Sequence, residues 1–282
     1  MTTGPNNLDP RFGTDDSSQK LHQLIFDSLV DLDDDLRVVP RLAARFEHPD
    51  PLTYVARLRR GVHFHDGREL TASDVLYTFR STLDPELLSP KRGGFLELAS
   101  LTAPDPYTVI FRLSQPFESF PSNVATLQIV PDGATSHLAS QPIGTGPYRF
   151  VGYTVDDRVE LAAFDDYYDG RPREDGLLFR IIPDEVVRGL ELRKGTVDLI
   201  VNDVSPDIVR QLRDEPNLQI IEGPGVDYQY IGINLTDTIL RDVRVRQAMA
   251  YAIDKQAIVE YLRWGLAVPA DGVLPSQSWA AA

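Results

Sequence analysis

Apolar side chains recur along SSQKLHQLIFDSLV (17–30) at the spacing of one helix face. Leu21, Leu24, Ile25 and Leu29 fall together, with Asp16 or Ser17 placed to cap the start. The period then shortens. TYVARL (53–58) and YTVIFRL (107–113) read as strands, the second alternating Val109, Phe111 and Leu113 after a lead-in with Pro104 and Pro106. Between them Thr71 opens a helical run whose buried side is Val75, Leu76 and Phe79. Asp74 stands three residues on, where a capping box places its acid, and Asp84-Pro85 marks the end.

Past residue 140 the texture changes. PIGTGPYRF (142–150) is a Gly/Pro-punctuated turn running into a strand, and Val159 to Phe164 supplies a hairpin partner across Asp156-Asp157. LLFRII (177–182) predicts a strand, Asp184 caps a helix through Lys194, and Gly195 stops it. VDLIV (197–201) predicts a strand, Ser205-Pro206 starts a helix, and LQII (218–221) predicts a strand again. That order predicts an α/β unit with crossover helices. YQYIGINL (228–235) alternates as one more strand, a helix begins at Asp242, and Asp254 caps AIVEYLRW, which Gly265 ends. The sections are 20–140, 141–240 and the start of a third.

Composition narrows the function classes. With 42% hydrophobic and 25% charged residues, 282 positions suffice for one large or two ordinary domains. The net charge of −14 argues against nucleic acid, which demands clustered Lys and Arg. There are no cysteines, so disulfides, thiolate metal sites and cysteine nucleophiles are excluded. No run of about 18 apolar residues suits a membrane span. The N-terminal MTTGPNNLDPRFGTDD lacks a signal segment, so either the protein is cytoplasmic or its targeting piece lies outside this sequence.

Candidate chemistry is sparse. His63 and His65 in an extended segment share a face, with Asp66 beside them, and a metal hydrolase would use that trio. The other histidines (His22, His48, His137) are distant in sequence, and Asp66-Gly67 is a turn dipeptide, so scaffold accounts for every residue. GxSxG, HExxH and a phosphate loop are absent, and GTGPYR is not GxGxxG. Asp156-Asp157 and Asp165-Asp166 could serve acid–base hydrolysis, but among 42 acidic residues adjacent pairs arise by chance. Tyr228 and Tyr230 share a strand face, and Phe164, Tyr167 and Tyr168 cluster before a Gly-Arg-Pro turn. Such aromatics suit a cleft around a flexible ligand and equally suit core edges.

The order of motifs carries more. LRRGVHFHDGRELTASDVLYTFRSTLDP (58–85) resembles a signature of the family 5 extracellular solute-binding proteins, the dipeptide, oligopeptide and nickel receptors of bacterial ABC importers. Asn7-Leu8-Asp9-Pro10 resembles that family's early Leu-Asp-Pro turn, and Ile143 to Tyr148 its Gly-Thr-Gly-Pro-Tyr segment. Tyr230 to Asn234, followed by Asp242 to Ala248, resembles the strand and helix entering the far lobe. The resemblance covers essentially the whole chain.

It implies a periplasmic-binding-protein-like α/β fold (type II, with an inserted extra domain) of two lobes around a cleft. The implied division is 1–20 and 141–240 for a split domain I, 21–140 for an inserted domain II, and 241–282 for the start of domain III. His63 and His65 then belong to the inserted domain as scaffold. Members are longer, so the sequence reads as a fragment lacking most of domain III, where peptide termini are commonly gripped. The implied partners are a peptide and ABC permease subunits; neither a cofactor nor a metal is called for, and the protein would act as a monomer in the periplasm or at the outer face of the cytoplasmic membrane. From placement alone, Gly13, Thr14 and Asp15 in the early loop and Tyr228, Tyr230 and Asn234 at the strand end are the candidate ligand contacts. Receptors of the same fold for nickel, haem or oligosaccharide, and a cytoplasmic regulator using it as a sensor, are the alternatives.

Overall fold

The computed structural model describes residues 1–223, 225, 227–270 and 272–274. The chain divides into two compact units, Met1–Pro183 and Asp184–Ala282, and the division falls inside the segment expected as 141–240.

In the first unit the opening helix α1 (Asp16–Ile25) is shorter than its apolar periodicity, because Phe26 turns extended (φ −127°, ψ 160°). The Asp27 carbonyl then accepts the Ile129 N–H, and Ser28 pairs with Gln128, so the rest of the run is captured by distant backbone. The cap is Asp15, one residue ahead of the expected pair. A short antiparallel ribbon, β1 (Val30–Leu32) with β2 (Val38–Pro40), brackets the acidic loop.

Next comes a four-stranded antiparallel sheet in the order β3-β4-β6-β5. Here β4 (Thr53–Leu58) and β6 (Thr108–Leu113) are the strands read from sequence; β3 (Ala43–Asp50) and β5 (Leu98–Asp105) flank them. On the inner face α2 (Ala72–Leu83) packs against β5 and β6, and α3 (Phe120–Ala125) closes over the ribbon. Phe79 meets Phe95 and Phe111 edge-on, each at 5.1 Å, and Phe64, Phe95, Phe111 and Phe120 are all fully buried. Each such burial contributes roughly 1.5–3 kcal/mol.

The third sheet is antiparallel, β7 (Tyr148–Thr154), β8 (Arg158–Ala163) and β9 (Gly176–Arg180) in that order, and the β7–β8 hairpin is the expected one. α1 lies on β7, and Leu21, Ile25 and Phe26 join Tyr148, Val159 and Leu161 in a second core.

The second unit holds α4 (Glu185–Lys194) and α5 (Pro206–Arg213), packed closely enough that a Cβ on Gly189 would sit 3.0 Å from Ile208. α6 (Val243–Ala252) follows, then α7 (Lys255–Ala257), which loosens into a π turn over Ile258–Leu262 instead of continuing as the expected helix. The strands expected at 197–201, 218–221 and 228–235 are not formed: these stretches join no ladder among the described residues. Leu199, Ile221 and Ile231 stand largely exposed there. Alternation makes a strand only when a neighbour takes the backbone groups and a layer covers one face. The crossover α/β unit expected from this stretch is thus replaced, among the described residues, by helices joined by extended segments.

Candidate functional site

The early loop is built as a buried turn. The Asp9 carbonyl accepts the Phe12 and Gly13 N–H groups, while Asn7 Oδ1 accepts the Asp9 N–H at 2.9 Å. Leu8 is buried beneath it. The Arg11 guanidinium grips the Asp9 carboxylate through Nε (3.0 Å) and Nη2 (2.6 Å) and stacks near Tyr77. Gly13 fits only because it has no side chain, since a Cβ would meet the Asn7 carbonyl at 2.2 Å. Asp15 spends its oxygens capping α1, accepting from the Ser18 N–H (3.0 Å) and hydroxyl (2.6 Å). Thr14 between them is exposed, its carbonyl taken by Gln19.

In the second unit Tyr228 and Tyr230 stack at 5.9 Å with rings 13° apart, and Tyr230 is 73% exposed. Asn234 closes a turn, its Oδ1 accepting the Thr236 N–H at 3.0 Å and hydroxyl at 2.9 Å. The first three candidates lie in the first unit and the other three in the second.

The histidine pair separates. His65 Nε2 donates to the Gly146 carbonyl at 3.0 Å while Nδ1 accepts the Gly144 N–H at 3.3 Å, which requires the neutral ring. Burial lowers its pKa accordingly. His63 instead bridges to Glu69 through backbone. Of the aspartate pairs, Asp157 meets Arg158 at 2.6 Å and Asp165 meets Arg171 at 2.7 Å, both at the surface.

A buried polar network centres on Asp27. Asp27 receives Arg41 Nε (2.9 Å), the Thr145 hydroxyl (3.2 Å) and the Tyr167 hydroxyl (3.3 Å), and Arg41 Nη2 donates to Tyr167 at 2.7 Å. Burial pushes the Asp27 carboxyl up, opposed by the Arg41 charge and the donated hydrogen bonds. Tyr168, its ring tilted against that of Tyr167 at 4.8 Å, is pushed up to about 12 by burial and the Asp27 charge. The available signal was an aspartate within the apolar run LIFDSLV. Phe164 and Tyr167 are thereby scaffold, the first packed on His65 at 4.9 Å.

The buried Leu-Asp-Pro turn and the His65-clamped Gly-Thr-Gly loop hold two of the motifs by which the sequence resembles one family of solute-binding proteins. The chain belongs to it: the model for bacterial extracellular solute-binding proteins, family 5 (middle portion), matches residues 37–282. It is 30% identical, over 96% of its length, to the glutathione-binding protein GsiB of Pectobacterium atrosepticum. Its fold superposes on NikZ of Campylobacter jejuni in complex with Ni(L-His), with a TM-score of 0.89 at 28% identity, covering 98% of this chain and 56% of that one. The oligopeptide-binding protein AppA of Bacillus subtilis, in complex with a nonapeptide, superposes with a TM-score of 0.88 at 28% identity, covering 99% and 57%. The fold is periplasmic-binding-protein-like, and the chain spans about half the length of the curated relatives it matches (54% of GsiB).

Proposed function

We propose that this chain is part of the substrate-binding component of an ABC importer, which captures peptides in a cleft between two lobes and hands them to membrane permease subunits. Family membership over 37–282 carries this reading, alongside a glutathione-binding and an oligopeptide-binding relative. In it, 1–20 and 141–240 belong to domain I, 21–140 to domain II and 241–282 to the start of domain III. Ligand touches both lobes together only in the closed arrangement and so shifts an existing equilibrium toward it, with the hinge near 233–242. Gly13 and Asp15 shape the early loop and Thr14 offers the ligand its exposed side chain; Tyr228, Tyr230 and Asn234 offer aromatic and amide contacts. The protein works without enzymatic chemistry or a cofactor, as a monomer, in the periplasm or at the outer face of the cytoplasmic membrane. The likeness to NikZ keeps a metal chelate as the second ligand class, to be held by residues other than His65.

Native mass spectrometry on the protein expressed from its complete reading frame, purified without denaturant, tests this. The expected result is a spread of adducts at peptide masses. A single metal or haem mass would replace the substrate, and a folded protein that no peptide pool binds or stabilises would sink the importer reading.

A further inference from the structure

A cleft of about 350 Å³ opens within the first unit beside the Asp27 network. One face of α1, the backbone following Asp27 and the loop at 125–128 form its walls, and Lys91 reaches in from the turn after α2. Charge around it is unevenly matched. Asp9 is neutralised by Arg11 at 2.6 Å and Asp27 by Arg41 at 2.9 Å. His22 in the wall is uncharged near neutral pH, because burial lowers its pKa to about 4. Asp31, at the exposed rim, accepts the Leu32 N–H through Oδ1 and keeps its negative charge in solvent.

Lys91 is the cation left over. Its ammonium donates to the Thr126 carbonyl at 2.7 Å and to Gln128 Oε1 at 3.3 Å, and among the described residues no carboxylate lies within ion-pair distance of it. Two neutral acceptors leave one of its three donors unused. A partly desolvated cation without an ion-pair partner is costly, and burial lowers Lys91 to about 8 against the opposing pull of the Asp9 charge. The Gln128 amide, accepting through Oε1, keeps its NH₂ for another acceptor, and the volume falls within the range of small-ligand sites.

We propose that this cleft binds a small carboxylate, paired with the Lys91 ammonium and hydrogen-bonded by the Gln128 amide. The proposal draws on the first unit alone and not on the importer reading. Isothermal titration of succinate into the full chain near neutral pH, at constant ionic strength, tests it. Saturable binding is expected, weakened tenfold or more by Lys91→Gln and largely kept by Lys91→Arg. Gln128→Glu supplies an internal counter-ion and should abolish binding even if Lys91→Gln fails to fold. Circular dichroism melts report which variants are folded. Absence of saturable binding by the folded wild-type chain to succinate, acetate or citrate overturns the proposal, as does binding that Lys91→Gln or Gln128→Glu leaves unchanged.

Discussion

Gly144 and Gly146 press against the end of α1: a Cβ on the first would sit 2.0 Å from the Ile25 carbonyl, and on the second 2.5 Å from that of Leu24. Both clashes are with backbone, so Gly146→Ala should destabilise the protein by about 1–3 kcal/mol, read from the urea midpoint; an unmoved midpoint would contradict the packing described. His22 gives a pH dependence of definite sign. Its folded pKa of about 4 lies below the ordinary 6.5, so between those values the unfolded chain binds more protons. Stability should fall as pH drops from 6.5 toward 4, by about 1.4 kcal/mol per pH unit at the steepest. Denaturation of the wild type against His22→Gln over that window checks it, and parallel curves would remove His22 as the cause. His63 and His65 mark the limit of reading at this scale. Alternation places both rings on one face, yet the partners of His65 lie about 80 residues away, at Gly144 and Gly146. No local pattern announces that.

Helix ends were legible because their determinants are local. Asp184 accepts the Val187 N–H, Gly195 takes φ 72°, and Asp242 and Asp254 cap the helices expected after them. Asp74 does more than the box pattern implies. One oxygen accepts the Thr71 N–H at 2.8 Å while the other accepts the Asp132 N–H at 2.8 Å, tying α2 to a loop far along the chain. Asp74→Ala should therefore cost about 2 kcal/mol, beyond the ~1 kcal/mol of an ordinary cap. A loss in chemical denaturation no larger than that of Asp184→Ala would show the second bond to be idle. β4 and β6 were legible from their own alternation, although they pair with each other across a long stretch of chain, and the β7–β8 hairpin from its turn. Strands were misread at 197–201, 218–221 and 228–235, where periodicity reports a propensity but no ladder forms among the described residues.

Across the molecule, burial is unequal. Two apolar cores fill the first unit, whereas α6 buries no residue and Tyr251, Tyr261 and Leu262 stand exposed in the second. Limited proteolysis should cut within 184–270 well before 1–183, giving a resistant fragment of the first unit by mass. Early cuts in β4 or β6 would reverse that ranking. The family was legible from four motifs in order, since each is a short contiguous run of sequence. The ligand was not, because its contacts depend on groups brought together by tertiary structure.

The Asp27 network has a consequence in time. Its hydroxyl donors, Thr145 and Tyr167, come from 118 and 140 residues further along the chain. Closing loops of that length costs entropy before any bond compensates it, so the network belongs to the last stage of folding. Tyr167→Phe should accordingly speed unfolding and leave refolding nearly unchanged in stopped-flow traces, whereas an equal slowing of refolding would move the network into the nucleus. The Asp27 network would then act as a latch on escape from the native state rather than a guide toward it.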